Sequence, residues 1–131
     1  SIADSSFAYF DSAQYRSLFQ NDLFFGITNK FLIISNMEKT YYVYILASLS
    51  KVIYTGVSSQ LEQRVWQHKN NQGSNFTKKY NVNRLVWYGD TNDPNIAIEW
   101  EKRIKGWIRI KKIKMIEDDN PNWDDLAENW F

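Results

Sequence analysis

The sequence predicts an α/β domain of the α+β type, in which a three-stranded, mainly antiparallel sheet is flanked by helices. Two runs with a period of two, residues 42–47 and 52–57, lie on either side of a short polar turn and predict a β-hairpin. A third run of the same kind, residues 83–90, predicts the remaining strand. Segments with apolar residues at helical spacing follow the second and third runs, and they predict helices that pack on the sheet.

The bulk composition limits both the number of domains and the kinds of site that the chain can build. The chain has 131 residues, 44% of them hydrophobic, so one domain with its own core is expected. It contains no cysteine and one histidine, which excludes disulfides, thiolate zinc sites, cysteine nucleophiles and multi-histidine metal centres. Any metal would be held mainly by oxygen ligands, which favours Mg²⁺ or Mn²⁺.

Residues 1–36 are interpreted as an N-terminal extension or accessory segment that precedes a domain over residues 37–131. They are poor in charge and rich in phenylalanine. Their longest apolar run is interrupted by Asn29 and Lys30 and is too short for a membrane span. A basic start followed by a small-residue cleavage site is also lacking. A cytoplasmic protein without a membrane partner is therefore expected.

The predicted hairpin brings two tyrosines to one face of the sheet. With the turn centred on Leu49, Tyr44 lies directly across from Tyr54, and opposed residues share a face. One interpretation is that both are ordinary strand aromatics. The other is that their hydroxyls are placed side by side for chemistry.

A helix over about residues 60–70 is predicted to place Arg64 and His68 on its core-facing stripe. The pattern of Ser59 and Glu62 is typical of a capping box, which would start this helix. An arginine on such a stripe needs a partner, and a phosphate would bind it in bidentate form. The alternative is that both side chains lie at the rim of the stripe and extend outward to solvent.

Two further helix starts are predicted in the C-terminal half. Asp93 followed by Pro94 is a strong start, with aspartate as N-cap and proline at the first helical position, and Asn122 is expected to cap a last short helix. The helix after Pro94 places Glu101 on its apolar face. A carboxylate there requires a cation, which would be either a metal ion or Arg64 in a structural ion pair.

The distribution of charge says more than the formal net charge of +1. Residues 102–114 hold seven cations and no acid, and Lys78 and Lys79 form a second small basic group. Such a local stripe is typical of salt-sensitive contact with a nucleic-acid backbone. The alternative is an ordinary solvated helix face. The cations of the stripe are Lys102, Arg103, Lys105, Arg109, Lys111, Lys112 and Lys114.

The ordered motifs of residues 42–121 resemble the GIY-YIG nuclease domain, in particular its small stand-alone bacterial branch. The matching segments are Tyr42-Val43-Tyr44, Tyr54-Thr55-Gly56, Arg64 with His68, Phe76-Thr77-Lys78-Lys79-Tyr80, Ala97-Ile98, Glu101-Lys102 and Asn120-Pro121 with Trp123. Two positions depart from the family's pattern, since Tyr42 replaces a glycine and Thr55 an isoleucine. Neither change removes a reactive group.

The resemblance implies a divalent-metal-dependent endonuclease that hydrolyses phosphodiester bonds of DNA. Glu101 would then bind the metal, Mg²⁺ or Mn²⁺. Tyr44 would act as general base or orient the attacking water, aided by His68, while Arg64 and Tyr54 would hold the scissile phosphate. Further substrate contacts are expected from Gly56, Lys78, Lys79, Lys105 and Asn120.

Two other functions are compatible with the same sequence. One is a catalytically weak or inactive nucleic-acid-binding module with the same fold. The other is a protein-interaction domain that uses exposed tryptophans and the N-terminal extension. DNA is the expected partner of both the endonuclease and the nucleic-acid-binding module. It would be bound either selectively for its structure or non-specifically.

Overall fold

The predicted α+β arrangement is confirmed in a computed structural model, which describes residues 39–131. The elements in chain order are β1 (Tyr41–Ala47), β2 (Ile53–Ser58), α1 (Leu61–Lys69), α2 (Asn75–Tyr80), β3 (Arg84–Thr91), α3 (Pro94–Gly106) and α4 (Arg109–Asp119). The proposed extension over residues 1–36 lies outside the described residues and stays a prediction. Within residues 39–131, no helix combines the length and the apolar character needed to cross a membrane.

The sheet has the strand order β2-β1-β3, and both strand pairs are antiparallel. The central strand β1 is buried from Val43 to Ala47, because apolar clusters pack on both faces of the sheet. One cluster contains residues of α3 and α4, and the other contains residues of α1. Trp87 and Trp123 belong to the first cluster, so a partner surface built from exposed tryptophans cannot include them.

The hairpin register differs from the prediction by two residues. Tyr44 pairs with Gly56, and Tyr54 pairs with Leu46, so the expected direct pairing of the two tyrosines was wrong. The reason is the length of the loop, which closes with a hydrogen bond of 2.9 Å from the Ser48 amide to the Val52 carbonyl oxygen. Because a shift of two residues preserves the face of each side chain, Tyr44 and Tyr54 still share one face.

The starts of α1 and α3 show one wrong and one confirmed prediction. The side chain of Asp93 accepts a hydrogen bond of 2.8 Å from the Asn95 amide, and Pro94 opens the helix, as predicted. Helix α1 lacks a side-chain cap, because Gln60 rather than Ser59 takes the N-cap position. The predicted capping box was therefore wrong.

Two features of the C-terminal part of the chain bear on the predictions. Helix α3 ends at Gly106, and a separate helix α4 begins at Arg109, so the basic stripe is divided between two helices. The last helix predicted after Asn122 was wrong, since this segment forms turns. Trp123 adopts a left-handed backbone conformation with φ of 56°, which an α-helix does not accommodate.

Asn120, whose residue exposure is 5%, is one of the residues that hold the C-terminal segment to the sheet. Its side-chain nitrogen donates to the carbonyl oxygens of Val86, at 3.1 Å, and Asp124, at 2.8 Å. Its side-chain oxygen accepts from the Asp124 amide at 2.9 Å. The whole side chain is thus used within the fold, where it joins the end of α4 to β3.

We expect Asn120→Ala to lower the free energy of unfolding by about 1–3 kcal/mol, because buried backbone groups lose their partners. Urea unfolding of the full chain measures this change. Asn122→Ala is the matched control, since Asn122 is exposed two residues away, and it should leave the midpoint nearly unchanged. Equal midpoints for the two variants would contradict the assigned role of Asn120.

Candidate functional site

An open cavity of about 380 Å³ lies beside strand β2, and we name it the Tyr44–Glu101 cavity. It brings together five predicted site residues from two strands and two helices, namely Tyr44, Tyr54, Arg64, His68 and Glu101. Two predicted substrate-binding residues, Gly56 and Lys105, also line it. The convergence of these side chains agrees with the arrangement expected from the sequence.

The two tyrosines and the histidine form a cluster of rings in this cavity. The ring centroids lie 6.4 Å apart for Tyr44 and Tyr54, 5.5 Å for Tyr54 and His68, and 6.3 Å for Tyr44 and His68. Burial raises the pKa of Tyr44, and the neighbouring Tyr54 and Glu101 raise it further, while Arg64 opposes them. The Tyr44 phenol therefore carries its proton at neutral pH, which makes it able to donate a hydrogen bond to a ligand.

Gly56 allows the Tyr44 ring to occupy its position over β2. A Cβ atom at Gly56 would lie 2.5 Å from both Cζ and the hydroxyl oxygen of Tyr44. A side chain at this position would therefore push the Tyr44 hydroxyl away from the cavity. The glycine is needed for this close approach of a ring to the backbone.

Thr77 on α2 and the preceding loop position the His68 ring. The Thr77 hydroxyl has two acceptors on Ser74, the carbonyl oxygen at 3.0 Å and Oγ at 3.1 Å. With its one proton directed at Ser74, the Thr77 oxygen accepts the hydrogen bond of 3.0 Å from His68 Nδ1. Gly73 lies against the same ring edge, where a Cβ atom would be 2.2 Å from Nδ1. This arrangement favours the proton on Nδ1 and the lone pair on Nε2.

His68 is neutral at physiological pH in this environment. Burial lowers the pKa of His68 below its ordinary value of 6.5, and the positive charge of Arg64 lowers it further. A neutral imidazole with Nδ1 protonated is a proton acceptor at Nε2. The neutral His68 imidazole is therefore better suited than the protonated Tyr44 phenol to remove a proton from water.

Glu101 is the buried acid of the cavity, with a residue exposure of 8%. Its carboxylate forms an ion pair with Lys105 one helical turn later, whereas Arg64 is exposed and contacts Gln67 at 3.4 Å. The alternative of a Glu101–Arg64 pair is therefore replaced by a local i, i+4 pair. Arg64 is left at the mouth of the cavity, where a ligand can reach it.

The surroundings of Glu101 fit a divalent cation with a single protein carboxylate. Its Oε1 atom is buried and has no well-aligned hydrogen bond, although the Lys105 ammonium lies against it. Over residues 39–131, three or more histidine or acidic side chains do not cluster around one point. Glu101 would thus be the main protein ligand, which leaves an ion such as Mg²⁺ largely hydrated, as it prefers.

Three of the predicted substrate-binding residues lie outside the cavity lining. Lys78 and Lys79 are exposed on α2, and Lys79 Nζ lies 5.2 Å from the centroid of the Tyr80 ring. Asn120 is used within the fold, as described above. Ser74 and Thr77 were not among the predicted site residues. The signal that could have found them is Ser74 itself, since serine is a typical N-cap residue and its oxygen accepts from the Thr77 amide.

Comparison with known families decides the classification. The GIY-YIG catalytic domain matches residues 40–114, which is more than half of the chain. The chain belongs to the GIY-YIG family. The resemblance drawn from the sequence motifs is thereby confirmed, and the sheet with flanking helices is the fold expected for a GIY-YIG domain.

Several small GIY-YIG relatives are similar to this chain over nearly their whole length. A UPF0213 protein of Staphylococcus saprophyticus is 33% identical over 82 residues, which are 63% of this chain and 99% of the relative. A UPF0213 protein of Natronomonas pharaonis is 29% identical over 83 residues, 63% and 98% of the two chains. The solution structure of a UPF0213 protein from Bacillus halodurans covers 69% of this chain and 97% of its own, with 24% identity and a TM-score of 0.45.

We expect the imidazole of His68 to titrate with a midpoint below 6.5, as its buried position and Arg64 require. Nitrogen NMR of the imidazole measures this directly, because the chain has one histidine. As the pH falls, His68 binds its proton in the unfolded chain before it does so in the folded chain. The contribution of His68 to the stability of the fold therefore decreases as the pH falls through about 6.5. A midpoint at or above 6.5 would contradict the described environment.

The same nitrogen spectra test the tautomer. In Thr77→Val the acceptor for Nδ1–H is lost, and we expect the shifts of the two ring nitrogens to approach each other as the tautomers mix. Thr77→Ser keeps the hydroxyl and serves as the matched control, in which the original shifts should return. Unchanged shifts in Thr77→Val would show that Thr77 does not select the tautomer.

Proposed function

We propose that this protein is a divalent-metal-dependent endonuclease that hydrolyses phosphodiester bonds of DNA. The observation that carries the proposal is the convergence of the buried Glu101 carboxylate with two tyrosines, an arginine and a histidine on one cavity. Membership of a family defined by a catalytic domain of the nuclease type supports the same reaction.

The phosphate of the substrate would be held at the mouth of the cavity by Arg64 and Tyr54. The exposed guanidinium of Arg64 has a long contact of 3.4 Å to Gln67, which a phosphate can replace with two shorter charge-assisted bonds. The Tyr54 ring lies beside His68, so its hydroxyl is available on the same side of the substrate. These two residues would set the position of the phosphorus atom.

The attacking water would lie between Tyr44 and His68. The protonated Tyr44 phenol can accept and donate hydrogen bonds, so it would orient the water, and Nε2 of His68 would remove a proton from the water as its oxygen attacks phosphorus. The P–O bond to the leaving oxygen breaks as the new P–O bond forms, and the leaving oxygen takes a proton from solvent water. A divalent ion such as Mg²⁺ or Mn²⁺, when bound, would supply positive charge against the phosphate oxygens. Glu101 would hold this ion, after the Lys105 side chain, which is 56% exposed, moves away from the carboxylate.

A non-catalytic nucleic-acid-binding module is the second candidate, and one observation favours it. Lys105 already pairs with Glu101 within the chain, so the charge of the Glu101 carboxylate is balanced without a metal ion. In that case Lys105 would stay on the carboxylate, and Arg64 would bind a phosphate without cleavage. The two candidates differ in whether added Mg²⁺ produces strand breaks.

We expect Glu101→Gln to lower the rate of DNA nicking at least about 100-fold, which corresponds to about 2.7 kcal/mol of lost transition-state stabilisation. The assay uses supercoiled, branched and single-stranded DNA with Mg²⁺ or Mn²⁺, and a chelator should abolish the activity. DNA binding at low salt should persist in the variant.

The matched control is Glu99→Gln on the same helix. Glu99 is exposed and pairs with Arg103 at 2.9 Å, so this variant removes one carboxylate from α3 without touching the cavity. Its nicking rate should stay within about twofold of the original, since exposed pairs contribute little to stability. Similar activity in Glu101→Gln and the unchanged chain would refute the endonuclease assignment, and binding without cleavage in every chain would support the second candidate.

A further inference from the structure

A second cavity, of about 320 Å³, lies between the tip of the hairpin and the start of α4. We name it the Lys112 cavity. Its lining residues are Ser50, Lys51, Val52, Ile53, Arg109 and Lys112. Three of these six side chains are cationic, and none is acidic. Cavities with this lining are suited to anions, because a bound anion offsets the repulsion between the cations.

Contacts within the fold hold two cations of the Lys112 cavity in place. Lys51 Nζ lies 4.9 Å from the centroid of the Trp123 ring. Arg109 donates a hydrogen bond of 2.7 Å from Nη2 to the Lys51 carbonyl oxygen, which anchors its guanidinium while other N–H groups stay available. The Lys51 backbone is left-handed, with φ of 68°, because the hairpin loop closes there. Burial lowers the pKa of Lys112, and the charges of Arg109 and Lys105 lower it further.

The Lys112 cavity adjoins the Tyr44–Glu101 cavity along β2, which is an outer strand of the sheet. Ile53 lines the former, and the next residue of the strand, Tyr54, lines the latter. Lys105 connects the two sites, since it pairs with Glu101 and its charge also acts on Lys112.

We propose that Lys51, Arg109 and Lys112 form a second phosphate site, which binds a backbone phosphate next along the strand to the phosphate held at the Tyr44–Glu101 cavity. The identity of the ligand as a nucleic acid rests on the proposed function. The anion chemistry rests on the three cations alone. A nucleic-acid strand would thus run along the outer edge of β2, from Arg64 and Tyr54 past Lys105 to Arg109.

The test measures binding without cleavage. The affinity of the full chain for a fluorescent duplex oligonucleotide is determined by anisotropy in a chelator at several salt concentrations. We expect Lys112→Gln to weaken binding and to reduce the slope of log affinity against log salt by about 0.9, the value for one lost phosphate contact on duplex DNA. Lys51→Gln, in the exposed hairpin loop, should act in the same direction.

Lys39→Gln is the matched control, because Lys39 is exposed and lines neither cavity and the charge change is the same. Its slope should equal that of the unchanged chain. A slope unchanged in both Lys112→Gln and Lys51→Gln, or reduced equally in Lys39→Gln, would overturn the second phosphate site. Circular dichroism verifies that each variant is folded. If Lys112→Gln does not fold, the slope measured for Lys51→Gln decides the test.

The failure of this site is distinguishable from the failure of the proposed function. If the unchanged chain cleaves DNA but Lys112→Gln binds with the original slope, the endonuclease stands and the second site is wrong. If the chain never cleaves but the slope falls in Lys112→Gln, the second site stands on a binding module. If the unchanged chain does not bind DNA at any salt concentration, both proposals are overturned.

Discussion

The buried carboxylate of Glu101 is the constraint on which the cavity depends. It lies on the apolar face of α3, between Ala97 and Ile104, which are both fully buried. Removing a carboxylate from water costs several kcal/mol unless a cation meets it. The chain meets this requirement with Lys105, whose flexible and exposed side chain can leave when a different cation arrives. One helix thereby provides both the acid and a replaceable counter-ion.

Close approaches between backbone and rings build the rest of the cavity. Gly56 lets the Tyr44 ring lie over β2, and Gly73 lets the α1–α2 loop touch His68. Since the Thr77 hydroxyl on α2 accepts a hydrogen bond from Nδ1 of His68, it favours Nε2 as the ring nitrogen that can accept a proton. The site therefore depends on two small residues and one hydroxyl in addition to the side chains that carry chemistry.

Much of this site was predictable because its residues sit in strongly patterned elements. The alternation in β1 and β2 places Tyr44 and Tyr54 on one face whatever the register, provided that it shifts by an even number. Helical spacing likewise places Glu101 on the inner side of α3 and Glu99 on the outer side, as observed. The part that failed depends on loops, namely the exact pairing of the hairpin, the cap of α1 and the helix expected after Asn122.

Local pattern alone thus determined the three strands, the start of α3 at Asp93 and the faces on which Tyr44, Tyr54 and Glu101 lie, because periodicity and capping are properties of neighbouring residues. Only the tertiary structure decided the partner of Glu101, the tautomer of His68 and the structural use of Asn120. Each of these depends on which groups from distant parts of the chain come into contact. Packing and hydrogen bonds between elements decide those contacts, and the spacing of residues along the chain does not predict them.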